Sequence, residues 1–332
     1  MDYSNFISQL LNGNPRAVAR LITFVENDIV AAEEIVNSIY EYTGKAYILG
    51  ITGAPGTGKS TFISTLTKFY VDQEKKVGII CVDPTSPLTG GALLGDRIRM
   101  KQNFSLNNVF IRSMANRGQL GGLARATEDV IKILDAYGCD IIIVETVGVG
   151  QSEVDIFKSA HTVVVLLVPG LGDDIQAIKS GIMEITDIFV VNKMDLPGSD
   201  KKIAEIKQML EFRKNYKYNS NDLHKKYAKI ELWTPEITKV NSKTGENFNE
   251  LLELINRHKS FLEESGVISN YLRDRITNET IQILKHKLTQ KVEELLSSDK
   301  EIGKYIDQAI HKSLDPYSMA NLIIKMLGLE KE

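Results

Sequence analysis

The chain has 332 residues, enough for one large domain with appended elements and an ample core. Its 40 Lys and Arg against 43 Asp and Glu give a formal net charge of −3, so no basic surface argues for a nucleic-acid partner. No apolar run reaches membrane-spanning length, and Met1 to Asn5 lacks the basic and apolar parts of a signal peptide. The expectation is a cytoplasmic protein with no membrane contact. Cys81 and Cys139 flank predicted strands and read as buried free thiols. The five histidines are scattered without metal spacing and read as structural or exposed.

In chain order, residues 1–44 read as short helices. Asn14 is a cap with Pro15 at the first turn, opening a helix from Arg16 to Glu26. Residues 45–265 alternate strand and helix, the pattern of a three-layer α/β fold with a mostly parallel, doubly wound sheet. Strands are predicted at 46–52, 76–82, 109–112, 140–144, 162–168, 187–192 and 236–240. Lys201 to Lys229 is charge-rich and reads as a solvated helix pair. Residues 266–332 are wholly helical, with Ile281, Leu284, Leu288, Val292 and Leu295 forming one apolar stripe. Asp315-Pro316-Tyr317 opens a last helix. A tail of this size is too small for a solid core, so it is expected to pack on the sheet domain or on a second subunit.

The first predicted strand runs directly into Gly53-Ala54-Pro55-Gly56-Thr57-Gly58-Lys59-Ser60, and Thr61 continues as a helix. Strand, glycine loop and helix are the context that a phosphate-binding P-loop requires. Its glycines let backbone N–H groups turn onto phosphates, and the helix start adds the positive end of its dipole. Lys59 is expected to reach the β- and γ-phosphates, and Ser60 to bind Mg²⁺ through its hydroxyl.

A second motif selects the base. Asn192-Lys193-Met194-Asp195 lies at the end of the apolar run 187–192, where open parallel sheets bind their ligands. The Asp195 carboxylate can accept from N1–H and from the 2-amino group of guanine. Adenine offers neither donor, which predicts rejection by roughly 10⁴-fold. Lys193 is expected to lie along the ring. After the last strand, Asn241-Ser242-Lys243 resembles the S-A-K loop that supports the guanine oxygen in GTPases, with an ordinary polar turn as the alternative. GTP and GDP are therefore the expected ligands.

Other residues suggest moving parts. Glu145 ends a strand and opens a D-x-x-G-like loop; it is expected to hold Mg²⁺, with Gly148 sensing the γ-phosphate. Val149 follows that glycine, where small regulatory GTPases carry the glutamine that orients water, so intrinsic hydrolysis is expected to be slow. Asp83, in Val82-Asp83-Pro84, is a candidate metal ligand or water-positioning carboxylate, with a strand-ending turn as the alternative. Asp96 is a candidate metal ligand or a helix cap. Asp173 and Lys179 form either a charge relay sensing nucleotide state or an acidic helix start with a solvated lysine.

The blocks 10–26, G-A-P-G-T-G-K-S-T (53–61), V-D-P-T-S (82–86), G-G-A-L-L-G-D-R-I-R-M (90–100), V-E-T-V-G-V-G-Q-S-E (144–153), G-D-D-I-Q-A-I-K-S-G (172–181), N-K-M-D and D-P-Y occur in this order. Together they resemble the MeaB/ArgK family of P-loop GTPases, relatives of the human methylmalonic aciduria type A protein. More distant relatives are the metallochaperone GTPases. Thr85, Arg97 and Ile98 vary within the blocks, and Asn241-Ser242 is unusual.

The resemblance implies a homodimeric GTPase that chaperones an adenosylcobalamin-dependent acyl-CoA mutase, with the cobalamin held by the partner only. It implies switch regions around Asp83 to Arg99, Val147 to Glu153 and Gly172 to Lys179. Asp173 and Lys179 become switch residues, and residues 266–332 a dimerisation arm. Two other readings compete. A metallochaperone would want a Cys-x-x-Cys or His-rich segment, which the sequence lacks. An ATP-dependent small-molecule kinase would make N-K-M-D a coincidence.

Overall fold

A computed structural model of the chain describes residues 2–83, 108–115, 122–146, 160–170, 185–219 and 233–328. Asp96, Gly148, Asp173 and Lys179 lie outside them. The chain divides into two compact units, Met1–Arg275 and Ile276–Glu332.

The first unit opens with three helices, α1 (Ser4–Leu11), α2 (Pro15–Asn27) and α3 (Ile29–Ile39). As expected, the Asn14 side chain accepts from Arg16 N–H and caps α2. Seven strands follow: β1 (Tyr47–Gly53), β2 (Val77–Asp83), β3 (Val109–Ala115), β4 (Ile141–Thr146), β5 (Thr162–Leu167), β6 (Ile188–Asn192) and β7 (Glu236–Val240). The helices among and after them are α4 (Lys59–Asp72), α5 (Gly122–Ala136), α6 (Ser199–Asn219) and α7 (Phe248–Glu264). The sheet is parallel throughout, in the order β3-β2-β4-β1-β5-β6-β7. The predicted strands thus appear within a few residues of their expected ends, β3 being the most extended.

Alternation along each strand builds three layers. Ile48, Ile80, Val82, Ile142 and Val144 face α1, α2, α3 and α5, and share one buried core with Leu10, Val18, Leu21 and Ile35. Leu49, Ile51, Ile79, Ile143, Val164 and Val190 face the other way, onto Phe62 and Leu66 of α4 and Leu251 and Ile255 of α7. A smaller cluster joins Val165, Phe189 and Val191 to Ile206 of α6. Because both faces are covered, the strands read as unbroken apolar runs. Two polar ties hold the N-terminal segment against the α/β layers. Arg112 on edge strand β3 donates Nε to Glu26 of α2 at 3.0 Å. The buried Asp135 of α5 accepts from the N–H groups of Gly44, Lys45 and Ala46 at 2.6, 3.2 and 3.0 Å, and so sets the entry into β1.

At the N-terminal edge of the sheet lies a second polar chain. The Tyr47 hydroxyl is 2.5 Å from Thr162 Oγ1, which is 2.8 Å from His258 Nδ1. His258 Nε2 is 3.5 Å from Asp187 Oδ1. With Thr162 donating to Nδ1, the imidazole proton sits on Nε2 and faces the carboxylate. Beside it, His161 Nδ1 accepts the Ile48 N–H at 2.9 Å while its ring stacks on Tyr47. Burial pushes both imidazoles down to about 4, and the charges of Arg275 and Lys259 add to the effect at His161. Burial pushes the Asp187 carboxyl up to about 7, although 25% of that side chain stays accessible and solvent moderates the shift.

The second unit contains the later part of α8 (Val267–Ser298), then α9 (Lys300–Ile310) and α10 (Pro316–Met326). Asp299 caps α9, and Asp315 caps α10 as the sequence predicts. Within this unit Ile302 and Ile323 are buried, but Ile281, Leu284, Leu288, Ile310 and Tyr317 are exposed. Of the predicted stripe, Ile281, Leu284 and Leu288 are exposed, while Val292 and Leu295 are half-buried. Among the described residues no helix is long and apolar enough to cross a membrane.

A depressed imidazole stabilises the fold above its ordinary value of 6.5, and the gain is lost as pH falls toward 4. A raised carboxyl acts oppositely: its stabilisation is present below 3.8 and is lost as pH rises through about 7. At the facing pair Asp187 and His258 the two effects offset; at His161 the acid-side loss stands. Urea unfolding is expected to show wild type losing about 1–2 kcal/mol between pH 7.5 and pH 5 at this site. His161→Asn, which keeps an acceptor for the Ile48 N–H, should flatten that slope. Equal slopes for the two proteins would refute the assignment.

Candidate nucleotide site

The C-terminal ends of β1, β4, β6 and β7 bring the motifs together. Gly53, the last residue of β1, has φ 154°, and a Cβ there would lie 2.4 Å from the Leu166 carbonyl oxygen of β5. The strand packs too closely against its neighbour for any other residue. Gly56 and Gly58 follow with φ of 85° and 89°, in the left-handed region. Thr57 closes the loop, donating its hydroxyl to the Ala54 carbonyl at 2.8 Å. Gly58 is the N-cap of α4 and offers no side-chain cap, so the helix start is built to receive an anion. Ser60 and Thr61 lie in the first turn. The Lys59 ammonium is buried and donates to the Gly53 and Ala54 carbonyls at 2.7 and 3.3 Å. It is thereby held over the loop, where a phosphate oxygen offers a charged replacement for those neutral acceptors.

The N-K-M-D turn is bonded directly to this loop. Asn192, buried at the tip of β6, donates Nδ2 to the Thr57 carbonyl at 2.7 Å. Its Oδ1 accepts from the Ser242 N–H at 3.2 Å and the Ser242 hydroxyl at 2.7 Å. One side chain thus joins the loops after β1, β6 and β7. Lys193 takes φ 57°, a left-handed conformation unusual for lysine, and donates Nζ to the Gly56 carbonyl at 2.9 Å. Asp195 follows, exposed on the turn, with Oδ1 3.0 Å from Asn241 Nδ2. Asn241 and Ser242 are buried, whereas Lys243 is exposed. Thr65 of α4 adds a contact that sequence reasoning missed, donating its hydroxyl to the Ser242 carbonyl at 2.6 Å. Nothing in the local pattern S-T-L-T marks it; only the packing of α4 against the last loop reveals it.

Glu145 stands on the other side of β1. It lies near the C-terminal end of β4, opposite Ile51 of β1 and Cys81 of β2, and is 3% exposed. The Cys81 thiol sits 3.8 Å from Glu145 Oε2. The next residue, Thr146, donates to Thr52 of β1 at 3.2 Å. A buried carboxylate and the Ser60 hydroxyl are hard oxygen donors. They suit Mg²⁺, which takes few protein ligands and completes its shell with phosphate and water. Among the described residues no three or more His, Cys, Asp or Glu are grouped to cage a metal. Asp83 ends β2; its backbone is described and its side chain is not.

Comparison with known proteins follows the same residues. Residues 18–296 match the family described as methylmalonyl Co-A mutase-associated GTPase MeaB. A Pyrococcus horikoshii protein whose name designates a GTPase is 51% identical over 321 residues, 97% of each chain. GTPase ArgK of Escherichia coli is 30% identical over 308 residues, spanning 92% of this chain and 89% of that one. A crystal structure described as an LAO/AO transport system kinase aligns over 98% of this chain and 97% of its own, with a TM-score of 0.65 and 22% identity, a likeness of fold. With the match running through both the phosphate loop and the N-K-M-D turn, the chain belongs to the MeaB family of methylmalonyl Co-A mutase-associated GTPases.

Proposed function

We propose that this GTPase is a nucleotide-switched chaperone for an adenosylcobalamin-dependent acyl-CoA mutase of the methylmalonyl-CoA mutase type, gating cofactor loading and reactivation. Support for the partner comes from the family match over residues 18–296. Support for the guanine nucleotide comes from one observation above all: the buried Asn192 amide binds the phosphate loop and the base-reading turn into a single site.

In this reading Ala54 to Thr61 wrap the phosphates and Lys59 leaves its loop carbonyls for the β- and γ-phosphate oxygens. Asp195 reads N1–H and the 2-amino group, while Lys193 flanks the ring. Ser60 and Glu145 hold Mg²⁺, joined by Asp83 or Asp96; the ion, when bound, neutralises charge on the phosphates. Gly148, Asp173 and Lys179 report whether the γ-phosphate is present. With valine after Gly148, hydrolysis is slow until the partner completes the site. The protein acts in the cytoplasm, and the cobalamin stays on the mutase.

The second unit supports a homodimer. Ile281, Leu284 and Leu288 recur at helical spacing on α8 and are exposed by 41, 52 and 42%. A contiguous apolar stripe of this kind calls for a partner surface, and a second copy of the arm supplies one of equal chemistry.

Three outcomes follow. GTP and GDP should displace a fluorescent guanine nucleotide from the purified protein and ATP should not; Asp195→Asn should move the preference to xanthosine nucleotides by at least about a hundredfold. Undiminished guanine binding in that variant would remove the base-reading argument. GTP turnover should rise severalfold on adding a cobalamin-dependent acyl-CoA mutase and be absent in Lys59→Ala; a rate indifferent to every such mutase would overturn the chaperone role. Light scattering should give twice the chain mass for wild type and the single mass for Leu284→Glu/Leu288→Glu, with nucleotide affinity unchanged. A monomeric wild type would sink the dimer.

A further inference from the structure

Thr65 lies in the second turn of α4 and directs its hydroxyl outside its own helix. A threonine within a helix can donate back to the carbonyl four residues earlier. Thr23 of α2 and Thr280 and Thr289 of α8 do so, at 2.9, 2.8 and 2.8 Å. Thr65 donates instead to the Ser242 carbonyl, at 2.6 Å and across 177 positions. The next turn of α4 backs the same loop. Phe69 stacks on Phe248 with ring centroids 5.5 Å apart, and a Cβ on Gly245 would lie 3.4 Å from the Phe69 ring. One stripe of the helix that opens at the phosphate loop therefore packs against the loop after β7.

The bonded carbonyl is half of a peptide unit. A peptide is planar and trans, so its C=O and its N–H point in opposite directions and turn together. Fixing the Ser242 carbonyl on α4 thus fixes the Lys243 N–H, which is directed away from Thr65. The preceding unit is fixed as well, since the Ser242 N–H donates to Asn192 Oδ1 at 3.2 Å. Ser242 is 4% exposed, and Thr65 is half-buried. Backbone donors held in one direction meet an acceptor with little further ordering cost.

We infer that Thr65 is a specificity-determining positioning residue: through the Ser242 carbonyl it aims the backbone N–H groups of the loop after β7 at the 6-oxygen of the purine. It acts through that peptide unit and touches neither base nor phosphate. The inference rests on the guanine-site reading above, and the experiment separates the two.

The full-length protein is titrated by calorimetry with GDP, inosine diphosphate, 6-thioguanosine diphosphate and ADP. Inosine keeps the 6-oxygen and lacks the 2-amino group. The thio analogue keeps N1–H and the 2-amino group but presents sulfur, a weak acceptor, in place of the oxygen. The main variant is Thr65→Val, which keeps the side-chain shape and removes the donor. GDP and inosine diphosphate affinities should each fall about fivefold, and that of the thio analogue by less than about twofold. Thr65→Ser, which retains a hydroxyl, should restore most of the GDP affinity. Thr65→Ala carries the test if the valine variant fails to fold. An equal loss for all three of these ligands, or no loss for any, would make Thr65 a plain packing residue and overturn the inference. A loss confined to GDP would place the effect at the 2-amino group and overturn it too. Wild-type protein that binds ADP and not GDP would instead overturn the guanine site itself.

Discussion

The nucleotide site depends on one buried amide. Asn192 spends its donor on the phosphate loop and its acceptor on the loop after β7. The loop after β7 is closed by a single bridge between Asn241 and Glu246, and the phosphate loop lies between β1 and α4 with no strand pairing of its own. A side chain that satisfies both ends in a dry environment couples them more strongly than an exposed contact would, because leaving either partner unmet costs its full desolvation. The loops after β1 and β7 are thereby mechanically joined.

That amide is in turn placed by the sheet. β6 lies one strand from β1, with β5 between them, so its tip and the phosphate loop face each other across a single strand's width. The close approach has a cost in sequence freedom. Gly58 must be glycine because a Cβ there would stand 2.8 Å from Asn192 Nδ2. Gly53 is constrained in the same way by β5. At the far edge of the sheet, the Tyr47, Thr162, His258 and Asp187 chain ties α7 to β1, β5 and β6, so the strand that carries Asn192 is anchored at both ends.

The α/β alternation, the strand positions and the caps at Asn14 and Asp315 were legible in the sequence because each is a local property. Apolar runs, proline at a helix start and glycine-rich turns record backbone preferences within a few residues. The GTPase class was legible too, since the motifs that suggest it are contiguous strings, and the family match agrees with it. The histidines showed the limit. His161 and His258 read as structural or exposed, and nothing in their sequence neighbourhoods revealed that His258 faces Asp187 and His161 a backbone N–H of β1.

The sequence by itself determined that the chain binds phosphate, prefers guanine and ends in helices with an apolar stripe, for these follow from residue order alone. Tertiary structure decided which loops touch: that Asn192 bridges to Thr57 and Ser242, that Thr65 reaches the last loop, and that Asn241 grips Asp195. These contacts join residues between 46 and 177 positions apart. Separations of that size are set by strand order and by the angle at which helices pack, and neither leaves a period or a motif in the chain.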